Sequence, residues 1–494
     1  MKMYKKLLLS LFAAGTVVSC TDNFFDVNDS QNNPVSSTPE LSLPVAQKYS
    51  VDILQGGYNS YNTLGNLWSY TWAAGGDFIY FTDETAYILS SSFRPSMFDN
   101  VYLLPLRNYH EVEINANENQ DNYKAIAKIM KAFHYQYLVD AYGDIPYSEA
   151  LQGGTNVQPA YDDAQAIYND LIVQLTAAQA LINNADSNDL IPTSNQDVMC
   201  GGDMAKWNRF ANTLKLRILL RQSEIGVTDY SSVNNGIGFL AANENVTCNP
   251  GYVNDVNRQN PFYAAFGFTV AGDPAANKNA TRVTPFIAGN STTLGYPTNL
   301  LTGDPRKQAL LKPVGTTTNY VGIDQNRSGG LNSASLSTYN DFFISSATQS
   351  GMIMSGFESA FLQAEAVERG FITGDKAALY KAGIEANFAY LGASLGTYDT
   401  SYPVDDLLTP VNESILNIAR QKYISLMHIN GFENYCELRR INSWGAIVPV
   451  APDASQPTRP VRLPYPASEY NNNPNNVPNQ TNTTYFTDKI FWDN

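Results

Sequence analysis

Residues 132–150 read AFHYQYLVDAYGDIPYSEA, the end of a helix and the turn that stops it. Upstream and into this stretch, Ala125, Ile126, Ile129, Met130, Phe133, Tyr137 and Leu138 recur every three or four positions, the stripe of an amphipathic helix. Gly143 can take up a backbone turn closed to other residues, Pro146 cannot continue a helix, and Asp144 can accept from nearby backbone amides. The string therefore predicts architecture rather than catalysis.

Outward from it the same period returns. Ala164, Ile167, Tyr168, Leu171, Ile172, Leu175, Ala178 and Ile182 predict a second helix behind Asp162 or Asp163 as its cap. Trp207, Phe210, Ala211, Leu214, Ile218 and Leu219 predict a third. Helical spacing is lost between about Gly226 and Gly351, where Asn, Gly, Thr, Ser and Pro surround isolated tyrosines, so a long loop-rich insertion is expected there. It resumes at Phe357–Arg369, Ala377–Leu391, Ile415–Met427 and Phe432–Ile441, which suggests helical hairpins. The last stretch is rich in Asn and Pro, yet Tyr465, Tyr470, Tyr485, Phe486, Phe491 and Trp492 give it apolar area to pack with.

The N-terminus follows other rules. Lys2, Lys5 and Lys6 precede the apolar run Leu7–Val18, and Val17-Val18-Ser19-Cys20 resembles a bacterial lipobox. The expected organisation is a lipoprotein signal peptide at 1–19, lipidated Cys20 with a polar tether to residue 40, and one domain over 41–494. Removing the three lysines takes the formal charge from −15 to −18. So acidic a chain repels a phosphate backbone, which excludes nucleic acid as a partner. No other stretch of eighteen apolar residues exists, so the lipid on Cys20 is the membrane attachment expected. Cys200, Cys248 and Cys436 remain, an odd set without CxxC spacing that indicates neither a disulfide framework nor zinc.

Several segments together resemble the SusD/RagB family of nutrient-binding outer-membrane lipoproteins, in particular its second, SusD-like branch. They are AFHYQYLVDAYGDIPYSEA, WNRFANTLKLR at 207–217, Ala364-Glu365-Ala366, Gln421-Lys422-Tyr423, GFENYCELRR at 431–440, Arg462-Leu463-Pro464-Tyr465-Pro466 and Phe491-Trp492-Asp493. The family usually has Trp where Tyr435 stands, and Ile441-Asn442-Ser443-Trp444 replaces its usual Tyr-Pro after the paired arginines. The resemblance implies a mainly α fold of tetratricopeptide-like hairpins carrying the insertion. It implies a lid on a TonB-dependent, SusC-like outer-membrane transporter, facing the cell exterior, that traps a nutrient oligomer and cleaves nothing. No tetratricopeptide repeat is readable from the residues themselves.

The competing readings are a peptide binder in the same role, a surface hydrolase and a structural adhesin. Gly392-Ala393-Ser394-Leu395-Gly396 matches G-x-S-x-G ahead of Asp405, Asp406 and His428, but it follows a helix rather than a strand, against the geometry of a nucleophile elbow. Asp324-Gln325-Asn326-Arg327-Ser328-Gly329 matches the first half of a calcium loop, yet position twelve is Ser335 rather than Glu. No cofactor is expected, with calcium at that loop the alternative. Arg439, Arg440 and Glu365 read as partners in buried ion pairs.

For the ligand, Trp68, Tyr70, Trp72, Phe78, Tyr80, Phe81 and Tyr87 form a dense aromatic segment broken by Gly75 and Gly76. Pyranose rings stack their C–H faces on such side chains, and few charges with many Asn favour a glycan over a peptide. Trp68, Trp72, Tyr80, Tyr263, Tyr320 and Tyr339 are the ligand-binding candidates; the choice of region, early loops and insertion, rests on the resemblance.

Overall fold

The computed structural model of the protein describes residues 37–289, 300–326, 331–401 and 413–493. Cys20, Asp405, Asp406 and residues 327–330 of the calcium-like loop lie outside them. From Pro39 onward the chain forms one unit. Its principal helices are α1 Pro39–Gln55, α2 Tyr61–Trp68, α3 Arg107–Asn115, α4 Asp121–Tyr142, α5 Ala164–Asn184, α6 Met204–Arg221, α7 Gly356–Glu368, α8 Lys376–Leu391, α9 Glu413–Leu426 and α10 Gly431–Arg440. Residues 39 and 40, expected in the tether, are the first turn of α1.

Sequential helices pack as hairpins: α4 on α5, α5 on α6, and α7 on α8. Local signals set their ends. Asp163 caps α5 by accepting from Ala166 N at 2.8 Å, and Asp203 caps α6 by accepting from Lys206 N at 2.8 Å. Gly143, at φ +82°, ends α4; a Cβ there would lie 2.5 Å from a guanidinium nitrogen of Arg462, so only glycine admits that arginine. Asp144 accepts from Ala164 N at 2.9 Å, tying the turn to the start of α5.

The core where α4, α6, α7, α9 and α10 meet holds ions as well as apolar side chains. Arg221 pairs with Glu433 at 2.6 Å and Glu437 at 3.2 Å, Lys422 with Glu433 at 3.0 Å, and Arg217 with Glu358 at 3.3 Å. Arg440 pairs with Glu365 at 2.6 Å and Glu437 at 2.7 Å. All are buried. Arg439 reaches Asp493 at 2.8 Å, and Tyr465, Tyr485 and Trp492 are buried, so the Asn- and Pro-rich tail is sewn onto the helices.

Between 226 and 351 the described backbone holds short helices and strands. The strands pair in twos, all antiparallel: β1 Trp72–Ala74 with β5 Thr281–Val283, β2 Ile145–Pro146 with β3 Tyr161–Asp162, β4 Val246–Cys248 with β8 Gly351–Met354, and β6 Leu311–Lys312 with β7 Thr338–Tyr339. The β1–β5 pair matters most here, because it joins the segment after α2 to the insertion.

Candidate functional site: an aromatic lip after strand β1

Strand β1 leaves the core at Ala74 and turns through Gly75 and Gly76. Gly75 N donates to Ala280 O and Gly76 N to Leu331 O, both at 3.0 Å. A Cβ on Gly75 would lie 2.0 Å from Ser333 Oγ, so glycine is what allows the two loops to touch. Asp77 locks them: its Oδ1 accepts from Ser333 Oγ at 2.6 Å and Ser333 N at 2.7 Å, and these bonds hold its carboxyl below the usual range.

The clamp pushes three apolar side chains outward. Phe78 is 38 % exposed, Ile79 94 % and Leu331 51 %. Tyr80, half-buried beside them, donates its hydroxyl to Asn277 Oδ1 and sets its ring edge-on to Phe81 at 4.4 Å. Behind it Tyr58 stacks on Phe81 at 5.7 Å, and the Arg94 guanidinium, paired with Glu84 at 2.9 Å, lies 4.2 Å over the Tyr58 ring. This ladder is a rigid support. Phe81 at φ +57° and Tyr87 at φ +56° flank the short helix Thr82–Ala86, so two non-glycine residues hold left-handed backbone beside the lip.

The ligand candidates do not all gather there. Trp68, Trp72 and Tyr339 are core residues with at most 1 % exposure, which corrects their reading as ligand platforms. The Trp68 indole N–H donates to Glu84 O at 3.1 Å and that of Trp72 to His428 Nδ1 at 2.8 Å, while Tyr339 Oη donates to Phe266 O at 2.6 Å. Each amphipathic ring has its polar end satisfied inside, so nothing is left for a ligand. Tyr263 is half-buried against Phe268, and Tyr320 is half-buried with the Lys307 ammonium 4.7 Å over its ring. Only Tyr80 of the six stands at the lip. Phe78 belongs to the aromatic segment but not to the six candidates, and Ile79 and Leu331 to neither; the signal was the Gly-Gly break followed at once by bulky apolar residues.

The other motifs resolve into structure. Gly392 and Gly396 both hold positive φ in the loop that ends α8, so Ser394 sits on no strand-to-helix elbow. Burial depresses His428 and His134 to about 3, leaving both neutral. Asp324 Oδ1 accepts from Tyr70 Oη at 2.7 Å, Gln325 donates to Leu67 O and Trp72 O, and Asn326 donates to Thr85 O and Pro452 O. Among the described residues no group of three or more His, Cys, Asp or Glu is placed to hold a metal ion, and no helix is long and apolar enough to cross a membrane.

The fold is one of helical hairpins carrying an irregular insertion, with the apolar lip exposed where β1 joins that insertion. A family model described as SusD-like, starch-binding and associating with the outer membrane matches residues 42–466, and the chain belongs to that family. Its members are binding proteins of the outer membrane rather than enzymes. Among solved structures, a chitin-binding protein is 23 % identical with a TM-score of 0.70, over 91 % of this chain and 99 % of its own. A chitin-binding SusD homologue from Flavobacterium johnsoniae is 20 % identical with a TM-score of 0.70, over 92 % and 98 %. A SusD/RagB family protein from Bacteroides thetaiotaomicron is 19 % identical with a TM-score of 0.69, over 92 % and 99 %. No curated protein matches the chain by sequence.

Proposed function

We propose that the protein is a lipid-anchored surface receptor that captures a glycan on the lip and delivers it to a TonB-dependent outer-membrane transporter. The observation that carries the ligand side is the lip itself: apolar groups held in water at a cost of about 25 cal/mol per Å2 against burial, beside a tyrosine and exposed Asn332 and Ser335. Such a surface fits a pyranose, with C–H faces for the rings and hydroxyls for the amides. Neighbours that bind chitin make N-acetylglucosamine oligomers the first ligands to test. The anchor reading rests on the lysine–apolar–cysteine order that ends at Cys20.

Calorimetry on the detergent-solubilised full chain with chitin and starch oligosaccharides tests the ligand. Binding of either, weakened severalfold by Phe78→Ala or Tyr80→Ala, supports the reading, and indifference of binding to both substitutions moves the site elsewhere. Cys20→Ala is expected to leave the membrane fraction, and recovery there at wild-type level ends the anchor reading. A much larger barrel protein should copurify from membranes, and repeated pull-downs without one favour an adhesin.

A further inference from the structure

Away from the lip a cleft of about 730 Å3 opens beside a five-residue π-helix, Tyr102–Leu106. Pro105 has no N–H to give an α-helical ladder, and the turn closes instead with Arg107 N bonded to Tyr102 O. Single π-turns within α-helical runs concentrate at functional sites. This one sets Tyr102 and Leu103 on the cleft wall, with Leu103 59 % exposed. Leu151 and Pro159 line the cleft as well. Gly153 and Gly154 also line it, and a Cβ on either would meet nothing within 4 Å, so the backbone there is open to a guest.

The charge in the cleft is unbalanced. Asp99, Glu111 and Glu469 line it, with Arg107 and the half-buried His110 the basic side chains. Asp99 Oδ1 accepts from Ser468 Oγ at 2.8 Å and Glu469 Oε2 from Tyr161 Oη at 2.8 Å. Burial raises both carboxyls above their ordinary range, and the charge of Asp99 raises Glu469 further. A cation placed between them would relieve that repulsion.

We propose that this cleft binds a short cationic peptide, seating an apolar side chain against Leu103 and Leu151 and a lysine or arginine between Asp99 and Glu469. The volume suits a ligand of a few residues. Largely aliphatic walls, with Tyr102 and the His110 imidazole as the partly exposed rings, favour amino-acid side chains over pyranose faces, which need broad aromatic platforms. The site is separate from the lip and stands or falls independently of glycan capture.

Calorimetry on the detergent-solubilised full chain at low salt, with the tripeptide Leu-Lys-Leu, its counterpart Leu-Glu-Leu and calcium alone as probes, tests this. Leu-Lys-Leu is expected to bind and Leu-Glu-Leu not to. Asp99→Asn and Glu469→Gln keep the shape and the acceptors for Ser468 and Tyr161, and each should weaken binding about tenfold, the loss of one charge-assisted hydrogen bond. Leu103→Ala, at an exposed position, should weaken it severalfold, and Phe78→Ala should leave it unchanged. No heat from Leu-Lys-Leu at millimolar concentration, equal binding of Leu-Glu-Leu, binding of calcium alone, or variants that bind as wild type would each overturn the proposal.

Discussion

Trp72 and Phe78 are six positions apart on one strand-and-turn segment, and what separates them is where their atoms find partners. Trp72 has its N–H on His428 and its ring against Phe266 at 5.1 Å, Tyr339 at 5.9 Å and Phe262 at 6.5 Å. Trp72→Ala should cost about 3–5 kcal/mol of stability, read as a fall in the unfolding midpoint, because it empties a packed site. Phe78→Ala should change stability by less than about 1 kcal/mol while lowering glycan affinity severalfold, and a drop in melting temperature as large as that of Trp72→Ala would make Phe78 a packing residue. The sequence could show that this segment is aromatic but not which rings face in. Gly75 and Gly76 mark the turn, yet whether a ring before or after it meets water depends on Ser333, more than two hundred and fifty positions away.

At the scale of elements, α4 to α10 were legible: all answer to an apolar spacing in the sequence, α10 included although all ten of its residues are buried. Helix α2 was hidden because it is only eight residues long and buries polar Asn62, Thr63 and Asn66 along with its apolar side chains. Helix α1 was hidden because Ser42, Gln47 and Ser50 face inward and Pro44 lies in its first turns. The strands, two to four residues long, are too short to display a period of two. What buries α2 is its crossing with α10 at Gly65 and Gly431. A Cβ on Gly65 would lie 2.0 Å from Phe432 N, and one on Gly431 2.3 Å from Asn66 N, so the backbones touch. Asn62 fastens the crossing by donating to His428 O and accepting from Gly431 N, both at 2.8 Å. Gly65→Ala is expected to destabilise by about 3 kcal/mol or more in chemical denaturation, since the clash is with backbone that no rotamer change relieves. A loss under about 1 kcal/mol would mean that the two helices slide apart freely.

For the whole molecule, the buried charges and histidines set how folding responds to acid. Burial keeps His134 and His428 neutral to about pH 3, whereas imidazoles of the unfolded chain protonate near 6.5. The unfolded state therefore gains protons first, and the stability these groups lend is present above pH 6.5 and drains as pH falls below it. Glu365 acts lower down: burial alone would raise its carboxyl, but Arg440 overrides this and brings it to about 2, so its contribution is lost as pH falls from about 4.5. Asp140 and Glu358 work the other way, because burial raises them and they take up protons in the folded state. From pH 6.5 to 4.5 the histidines each contribute a slope of up to about 1.4 kcal/mol per pH unit, against which the raised carboxyls act. The melting temperature should fall steadily across that window. His134→Gln and His428→Gln should each flatten the fall even where they lower the midpoint at pH 7, because the slope counts protons and the midpoint counts contacts. A melting temperature level from pH 6.5 to 4.5, or a slope unchanged in both variants, would show that neither imidazole is held neutral in the fold.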